Sequence, residues 1–235
     1  MLIEKRSQRL RALSSIRDLT IIHLSDEEGL DGSFLYKEVN PSIKIIRNFY
    51  YEKYNKYKNI YNLPLGPTRI SLSNLKWINA LDRKYIWNFI GTTWKDSERE
   101  GAISTFRSNL PNRHYIFTGE KFSQGIKQEE YIKILSDSIF TLCPEGHRHF
   151  ETFRFYEALE TGSIPLIVNA KELIQNIYLS DRPPIKNFNS WSEAALFVKN
   201  LIKEPNNINK TQNQLREWWQ NSKYKFSSAI KQKIL

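Results

Sequence analysis

The sequence predicts an α/β protein built on parallel sheets, and three observations carry that reading. From residue 85 onward, short apolar runs alternate with stretches of helical periodicity, the order of successive βαβ units. Runs such as Ile139 to Leu142 and Ser163 to Val168 are apolar and partly β-branched rather than alternating, as expected of strands covered on both faces. Turn formers bound each of them, and no internal repeat or low-complexity tract interrupts the order.

Taken in chain order, Ile3 to Arg17 has helical periodicity and Leu19 to Leu24 reads as a buried strand, with the loop Ser25-Asp26-Glu27-Glu28-Gly29 at its C-terminal end. Ile43 to Arg47 and Asn59 to Leu63 are further short strands, and the tyrosine-rich Tyr50 to Tyr57 between them reads as helix. Pro64, Gly66 and Pro67 break the pattern. The second half opens near Tyr85 with a strand at Trp87 to Ile90. A helix at Ser97 to Asn109, a strand at His114 to Phe117, a helix at Glu129 to Ser136 and a strand at Ile139 to Cys143 follow. After Val168 come a short helix at Glu172 to Ile177, an extended stretch from Pro183 to Phe188 and a helix at Ser192 to Lys203. Lys210 to Ile234 is a long amphipathic helix carrying Leu215, Trp218, Trp219, Phe226 and Ile230.

A chain of 235 residues holds one large domain or two small ones, and 40% hydrophobic with 13% aromatic residues excludes a largely disordered protein. The net charge of +10 favours anionic partners, among them sugar nucleotides, acidic glycans, anionic lipid and nucleic acid. Lys and Arg are spread from Lys5 to Lys233 without a homeodomain, zinc-finger or RNP pattern, which argues for a solvated basic surface and against a nucleic-acid groove. The single cysteine, Cys143, excludes an intrachain disulfide, and its place at the end of an apolar strand points to packing rather than nucleophilic catalysis. The four histidines lack metal-ligand spacing, so no metal site is expected. No apolar run approaches the ~20 residues of a membrane span, and Met1-Leu-Ile-Glu-Lys-Arg has no signal-peptide core. The expectation is a soluble, cytoplasmic chain, with peripheral membrane contact through its basic surface left open.

The densest chemistry lies between Ile139 and Val168. Thr152 to Thr161 is a helix ended by Gly162, with Phe155, Ala158 and Leu159 on one side and Arg154, Glu157 and Thr161 on another. The charged side is expected to face the crevice beyond the strand ends, where open α/β sheets place ligands. The helix start offers free N–H groups and a positive dipole end, and His147, Arg148, His149 and Arg154 add donors, which suits phosphate. Glu157, one turn further in, suits the two hydroxyls of a ribose. Each such charge-assisted bond is worth roughly 1.5 to 3 kcal/mol. The same spacing also fits a solvated i,i+3 pair of Arg154 with Glu157. The turn from Gly91 to Thr93 follows a strand and precedes a helix, so its amides and the Thr92 or Thr93 hydroxyls are placed for phosphate, with Arg99 reaching in from the helix. A salt bridge of Arg99 with Glu98 or Glu100 is the alternative.

These residues carry a resemblance. Cys143-Pro144-Glu145-Gly146, then Phe153-Arg154-Phe155-Tyr156-Glu157-Ala158-Leu159, then Thr161-Gly162-Ser163-Ile164-Pro165 resembles the C-terminal signature of exostosin-type glycosyltransferases. Trp87 to Gly91 followed by Glu98-Arg99 is similar to the segment that opens the same domain, and His23 to Glu27, Arg47 to Tyr50 and Leu63 to Pro67 are similar to N-terminal segments of some members. The resemblance implies the GT-B architecture, two small Rossmann-like domains with parallel sheets facing a cleft, and sugar transfer with inversion from a nucleotide-diphosphate donor to a glycan or glycoconjugate acceptor. It assigns residues 1–84 to a reduced acceptor-side domain, 85–208 to the donor-binding domain and 209–235 to a helix packing back on the first. Donor contacts fall on Gly91, Thr92, Arg99, Arg148, Arg154 and Glu157. Many GT-B enzymes pair a second Glu eight residues before the ribose-binding one; here that position is His149, and the nearest carboxylate is Glu151. No cofactor is expected beyond the sugar nucleotide as donor substrate. There is no Asp-x-Asp, and cationic side chains with the helix terminus would stabilise the leaving diphosphate without metal.

An inverting transfer needs a base to take the acceptor proton. Asp26 and Glu27, just past the first strand, are the acids expected for it, with His23 beside them. Ser25-x-x-Glu28 also fits a capping box, which would make both acids first-turn residues of a helix. Two other functions share these features: a non-catalytic module that binds sugar nucleotides, and a basic adaptor for nucleic acid or anionic lipid.

Overall fold

Among the described residues, two parallel sheets organise the chain, one of three strands and one of five. The computed structural model describes residues 13, 16, 18–24, 26–30, 36–37, 39–68, 76–119, 125–146, 149–170 and 182–234. The helices expected at Ile3 to Arg17, residues 13 and 16 apart, and at Glu172 to Ile177 lie outside those residues. Residues 1–65 and 224–235 form one compact unit and residues 66–223 the other.

The first unit holds β1 (Thr20–His23), β2 (Lys44–Arg47) and β3 (Ile60–Asn62), in that order and parallel throughout, with Ile21 opposite Ile45 and Ile45 opposite Ile60. Its core is Tyr36, Val39, Ile43, Ile45 and Tyr54, flanked by Leu19, Ile21, Tyr51, Tyr57 and Ile60. The segment Tyr50 to Tyr57 forms a single 3-10 turn at Glu52–Tyr54, not the expected helix. Its tyrosines serve tertiary packing instead. Tyr54 meets the Tyr36 ring edge-on at 4.9 Å and takes the Arg47 guanidinium on its face at 4.3 Å, and such contacts override a weak helix propensity.

In the second unit the strands β4 (Tyr85–Thr92), β5 (His114–Gly119), β6 (Ser138–Leu142), β7 (Ile164–Val168) and β8 (Asn187–Phe188) lie in the order β5-β4-β6-β7-β8, all parallel. The connecting helices are α1 (Glu98–Asn109), α2 (Gln128–Ser136), α3 (Phe153–Thr161) and α4 (Trp191–Leu201). Right-handed crossovers put α1 and α3 on opposite faces, because β4 to β5 runs one way along the sheet and β6 to β7 the other. α4 shares the α1 face through the ring contacts Trp87 to Phe106 at 5.5 Å and Phe106 to Trp191 at 6.1 Å. The strand order therefore reverses between β4 and β6, the switch point beyond whose C-terminal strand ends open α/β sheets place ligands.

Residues 66–84 belong with this unit although the sequence break was placed at 84/85. Arg83 explains why: fully buried, it donates to the carbonyls of Ile78, Leu135, Ser138 and Thr161 at 2.8 to 3.3 Å. Burial pushes its pKa down to about 10, so it stays charged at neutral pH. Gly162 closes α3 at φ +75°, where a Cβ would sit 2.5 Å from the Trp77 ring. The last helix, α5 (Pro205–Ile234), starts five residues ahead of its expected beginning; up to Lys223 it belongs to the second unit and from Tyr224 to the first.

Candidate active site

One arginine is packed beneath the C-terminal ends of β4 and β6, at the switch point of the sheet. Arg154, in the first turn of α3, turns inward across the strand ends: Nε donates to the carbonyl of Ile90 at 3.0 Å and the guanidinium lies 4.6 Å from the Phe89 ring centroid. The side chain is 8% exposed, yet its buried Nη1 makes no hydrogen bond among the described residues. Gly91 is the reason it fits, since a Cβ at that position would come within 2.2 Å of Nη2. The helix itself starts without a side-chain cap, and Thr152 Oγ1 at its cap position is likewise buried and unpartnered among the described residues. A positive helix end, an uncapped turn and a buried cation with an idle donor converge here.

Glu157 lies one turn deeper, 6% exposed, and each carboxylate oxygen already accepts a hydroxyl: Thr68 at 2.6 Å on Oε1 and Tyr131 at 2.5 Å on Oε2. Burial, and then the Glu157 charge, push the Tyr131 phenol well above its usual range. The charged side of α3 is thus packed rather than open to the crevice, and Arg154 and Glu157 are not a solvated pair. Partners distant in sequence account for this, with Ile90, Thr68 and Tyr131 lying 64, 89 and 26 residues away. Beside them, burial pushes the Cys143 thiol up to about 12, so it is packed and protonated.

Arg99 laces the crevice mouth, donating to the carbonyl of Thr92 at 2.9 Å on one wall and of Glu145 at 3.2 Å on the other. Glu98 adds a second tie, accepting the Glu145 N–H at 2.8 Å and the Trp191 indole N–H at 3.0 Å, and burial raises its pKa. His149 Nδ1 accepts the Glu151 N–H at 3.0 Å, and Glu151, 2% exposed, accepts the Tyr156 hydroxyl. His147 and Arg148 lie outside the described residues. Tyr131 and Thr68 were not expected from the sequence: a tyrosine on an amphipathic helix and a threonine after a Pro-Gly-Pro break carry no local signal.

In the first unit, Asp26 is 6% exposed and pairs with the fully buried Arg47 at 3.4 Å. Glu27 is half-buried, and its carbonyl accepts the Tyr51 hydroxyl. His23 Nδ1 lies 2.9 Å from the Tyr36 hydroxyl. Ser25, the cap of the proposed box, lies outside the described residues.

The parallel sheets, with the five α-helices of the described residues, form the GT-B fold of glycosyltransferases. An α-glucosyltransferase solved in complex with UDP-glucose and DNA containing an abasic site superposes with a TM-score of 0.56 at 12% identity, covering 99% of this chain and 76% of that one. The chain belongs to the RXYLT1 C-terminal domain family, whose profile matches residues 70–235. Relatives include ribitol-5-phosphate xylosyltransferase 1 of Homo sapiens, 22% identical over 212 residues that cover 85% of this chain and 47% of that protein. The Danio rerio protein of that name is 30% identical over 122 residues, covering 47% of this chain and 27% of that protein. The chain thus spans less than half the length of the curated relatives it matches. The exostosin-type resemblance reached the class of protein, while the family shown is this one.

Proposed function

We propose that the chain transfers xylose, with inversion, from a nucleotide-diphosphate donor to a glycan acceptor bearing a polyol phosphate. The observation that carries the donor side is the buried guanidinium of Arg154, with Nη1 idle beside the uncapped start of α3. The α3 amides and Arg154 receive the diphosphate, and the turn at Gly91 and Thr92 closes on it. Glu157 binds the ribose by exchanging the Thr68 hydroxyl for a ribose hydroxyl while Tyr131 keeps the carboxylate in place. Arg99 holds the two walls at the spacing the diphosphate needs. Cationic groups and the helix end, in place of a metal, stabilise the charge on the departing diphosphate. Sugar and acceptor are taken from the names of the relatives. Of the two acids expected as base, Asp26 is buried against Arg47 whereas Glu27 is half-buried and so more accessible to an acceptor, and the role is assigned to Glu27 on that difference in exposure.

The test is thermal unfolding of the chain with nucleoside diphosphates, UDP first, followed by transfer from UDP-xylose to ribitol 5-phosphate with and without EDTA and NMR of the anomeric linkage. Stabilisation by UDP that is lost in Arg154→Ala, with an inverted linkage formed in EDTA, is the expected result. An unchanged response in both Arg154→Ala and Glu157→Ala would refute the donor site; a retained configuration or EDTA-sensitive transfer would refute the corresponding step.

A further inference from the structure

At the other end of α3, roughly 13 Å from its start for a helix of nine residues, lies a separate pocket of about 190 Å³. The C-terminal turn of α3, the loop carrying Lys76 and Trp77, and helix α5 form its walls. Gln212 of α5 fixes these elements to one another, accepting the Ala80 N–H at 2.9 Å and donating to the carbonyls of Ile78 at 3.1 Å and Gly162 at 2.9 Å. The walls are therefore preorganised.

Three cations and one carboxylate line the space. Lys223 binds both oxygens of Glu160 at 2.9 Å, which cancels one charge of each sign. Arg216 lies over the Trp77 ring, its guanidinium carbon 4.2 Å from the centroid, and makes no hydrogen bond or ion pair with any described residue. The cation–π contact with Trp77 holds the guanidinium at the pocket wall while its N–H donors make no bond to any described residue. Lys76 also makes no hydrogen bond or ion pair with any described residue. Two cations without a hydrogen-bond or ion-pair partner among the described residues, one of them a guanidinium held against Trp77, match a phosphate group. Beside them, Leu159 and indole carbon supply an apolar surface and the exposed amide of Gln220 a donor and an acceptor for hydroxyls. A volume of 190 Å³ falls below the roughly 300 Å³ at which drug-sized pockets begin, so a nucleotide sugar is too large.

We propose that this pocket is a second binding site, specific for the phosphate ester of a single sugar or polyol. It is independent of the donor site and would anchor a phosphate-bearing part of a glycan away from the reacting centre.

The test uses the whole chain with 15N-labelled tryptophan, following the indole N–H signals of Trp77 and Trp219 as glucose 6-phosphate is added, with glucose, inorganic phosphate and UDP as separate arms. The expected result is a saturable shift at Trp77, at least tenfold weaker binding in Arg216→Met and in Lys76→Met, and no effect of UDP on either. Both residues are exposed, so neither substitution threatens the fold. Absence of a shift at both indoles, unchanged affinity in Arg216→Met, or equal affinity for glucose or for inorganic phosphate would overturn the proposal. A chain that UDP fails to stabilise sinks the donor reading alone, whereas silent indoles with UDP still bound sink only this one.

Discussion

Arg154 and Gly91 fit one another so closely that the guanidinium occupies the space of a residue-91 side chain, with Nη2 2.2 Å from where a Cβ would stand. Gly91→Ala therefore displaces Arg154 from the Ile90 carbonyl and re-aims Nη1. UDP affinity should fall at least tenfold, about 1.4 kcal/mol, alongside an overpacking cost of about 1 to 3 kcal/mol in stability. Titration calorimetry and urea unfolding check the two effects separately. Undiminished affinity would show that Arg154 does not meet the diphosphate.

Tyr131 and Thr68 hold Glu157 from different elements, and their removal should differ in sign. Tyr131→Phe deletes a buried bond to a carboxylate, costing about 1.5 to 3 kcal/mol, and lets Glu157 drift, so affinity for UDP falls with stability. Thr68→Val removes the hydroxyl that the ribose is proposed to replace, so affinity should hold or rise. A pH effect follows as well. The native state raises the phenol pKa of Tyr131 above its ordinary 10.0, so its contribution to stability is complete below about pH 10 and is lost as the pH climbs towards the native value. Above pH 10, Tyr131→Phe should lose stability less steeply than the parent in urea melts.

Cys143 sits beside the same cluster but is sealed within it, its thiol held at about 12. At pH 8 it carries almost no thiolate. Iodoacetamide should leave the native protein unmodified for as long as the fold persists and label it promptly in urea, as followed by intact mass. Cys143→Ala should keep transfer within about threefold; a loss of a hundredfold would reinstate the thiol as a participant.

Much of the second unit was legible because its central strands β6 and β7 are largely apolar and buried and several of its helices are marked at their ends. Ser97 accepts the Glu100 N–H as a cap for α1, and Gly162 closes α3 in the left-handed region. What stayed hidden depended on partners remote in sequence. Arg154 and Glu157 read as a polar helix face, and only Ile90, Thr68 and Tyr131 make them burial-competent. Tyr50 to Tyr57 read as helix because periodicity cannot show that Tyr54 is spent on Arg47. The sequence break at 84/85 puts residues 76–83 with the first domain, whereas the carbonyls bound by Arg83 tie them to the second unit.

Asp26 and Glu27 are neighbours in sequence with different surroundings, and substitution should separate their roles. Asp26 is the buried counter-ion of Arg47, whose guanidinium is also faced by the rings of Tyr36, Tyr51 and Tyr54 at 4.3 to 5.8 Å. Asp26→Asn leaves that cation without a buried partner charge, which costs about 3 to 5 kcal/mol, so the first unit should unfold early and activity fall through loss of folded protein. Glu27→Gln leaves the ion pair and the Tyr51 bond to the residue-27 carbonyl intact, so it should lose less stability than Asp26→Asn. If Glu27 takes the acceptor proton, this variant lowers kcat at least a hundredfold with little change in donor affinity. Glu27→Gln with parental kcat would remove Glu27 as base. A folded Asp26→Asn with parental stability but no turnover would return the role to Asp26.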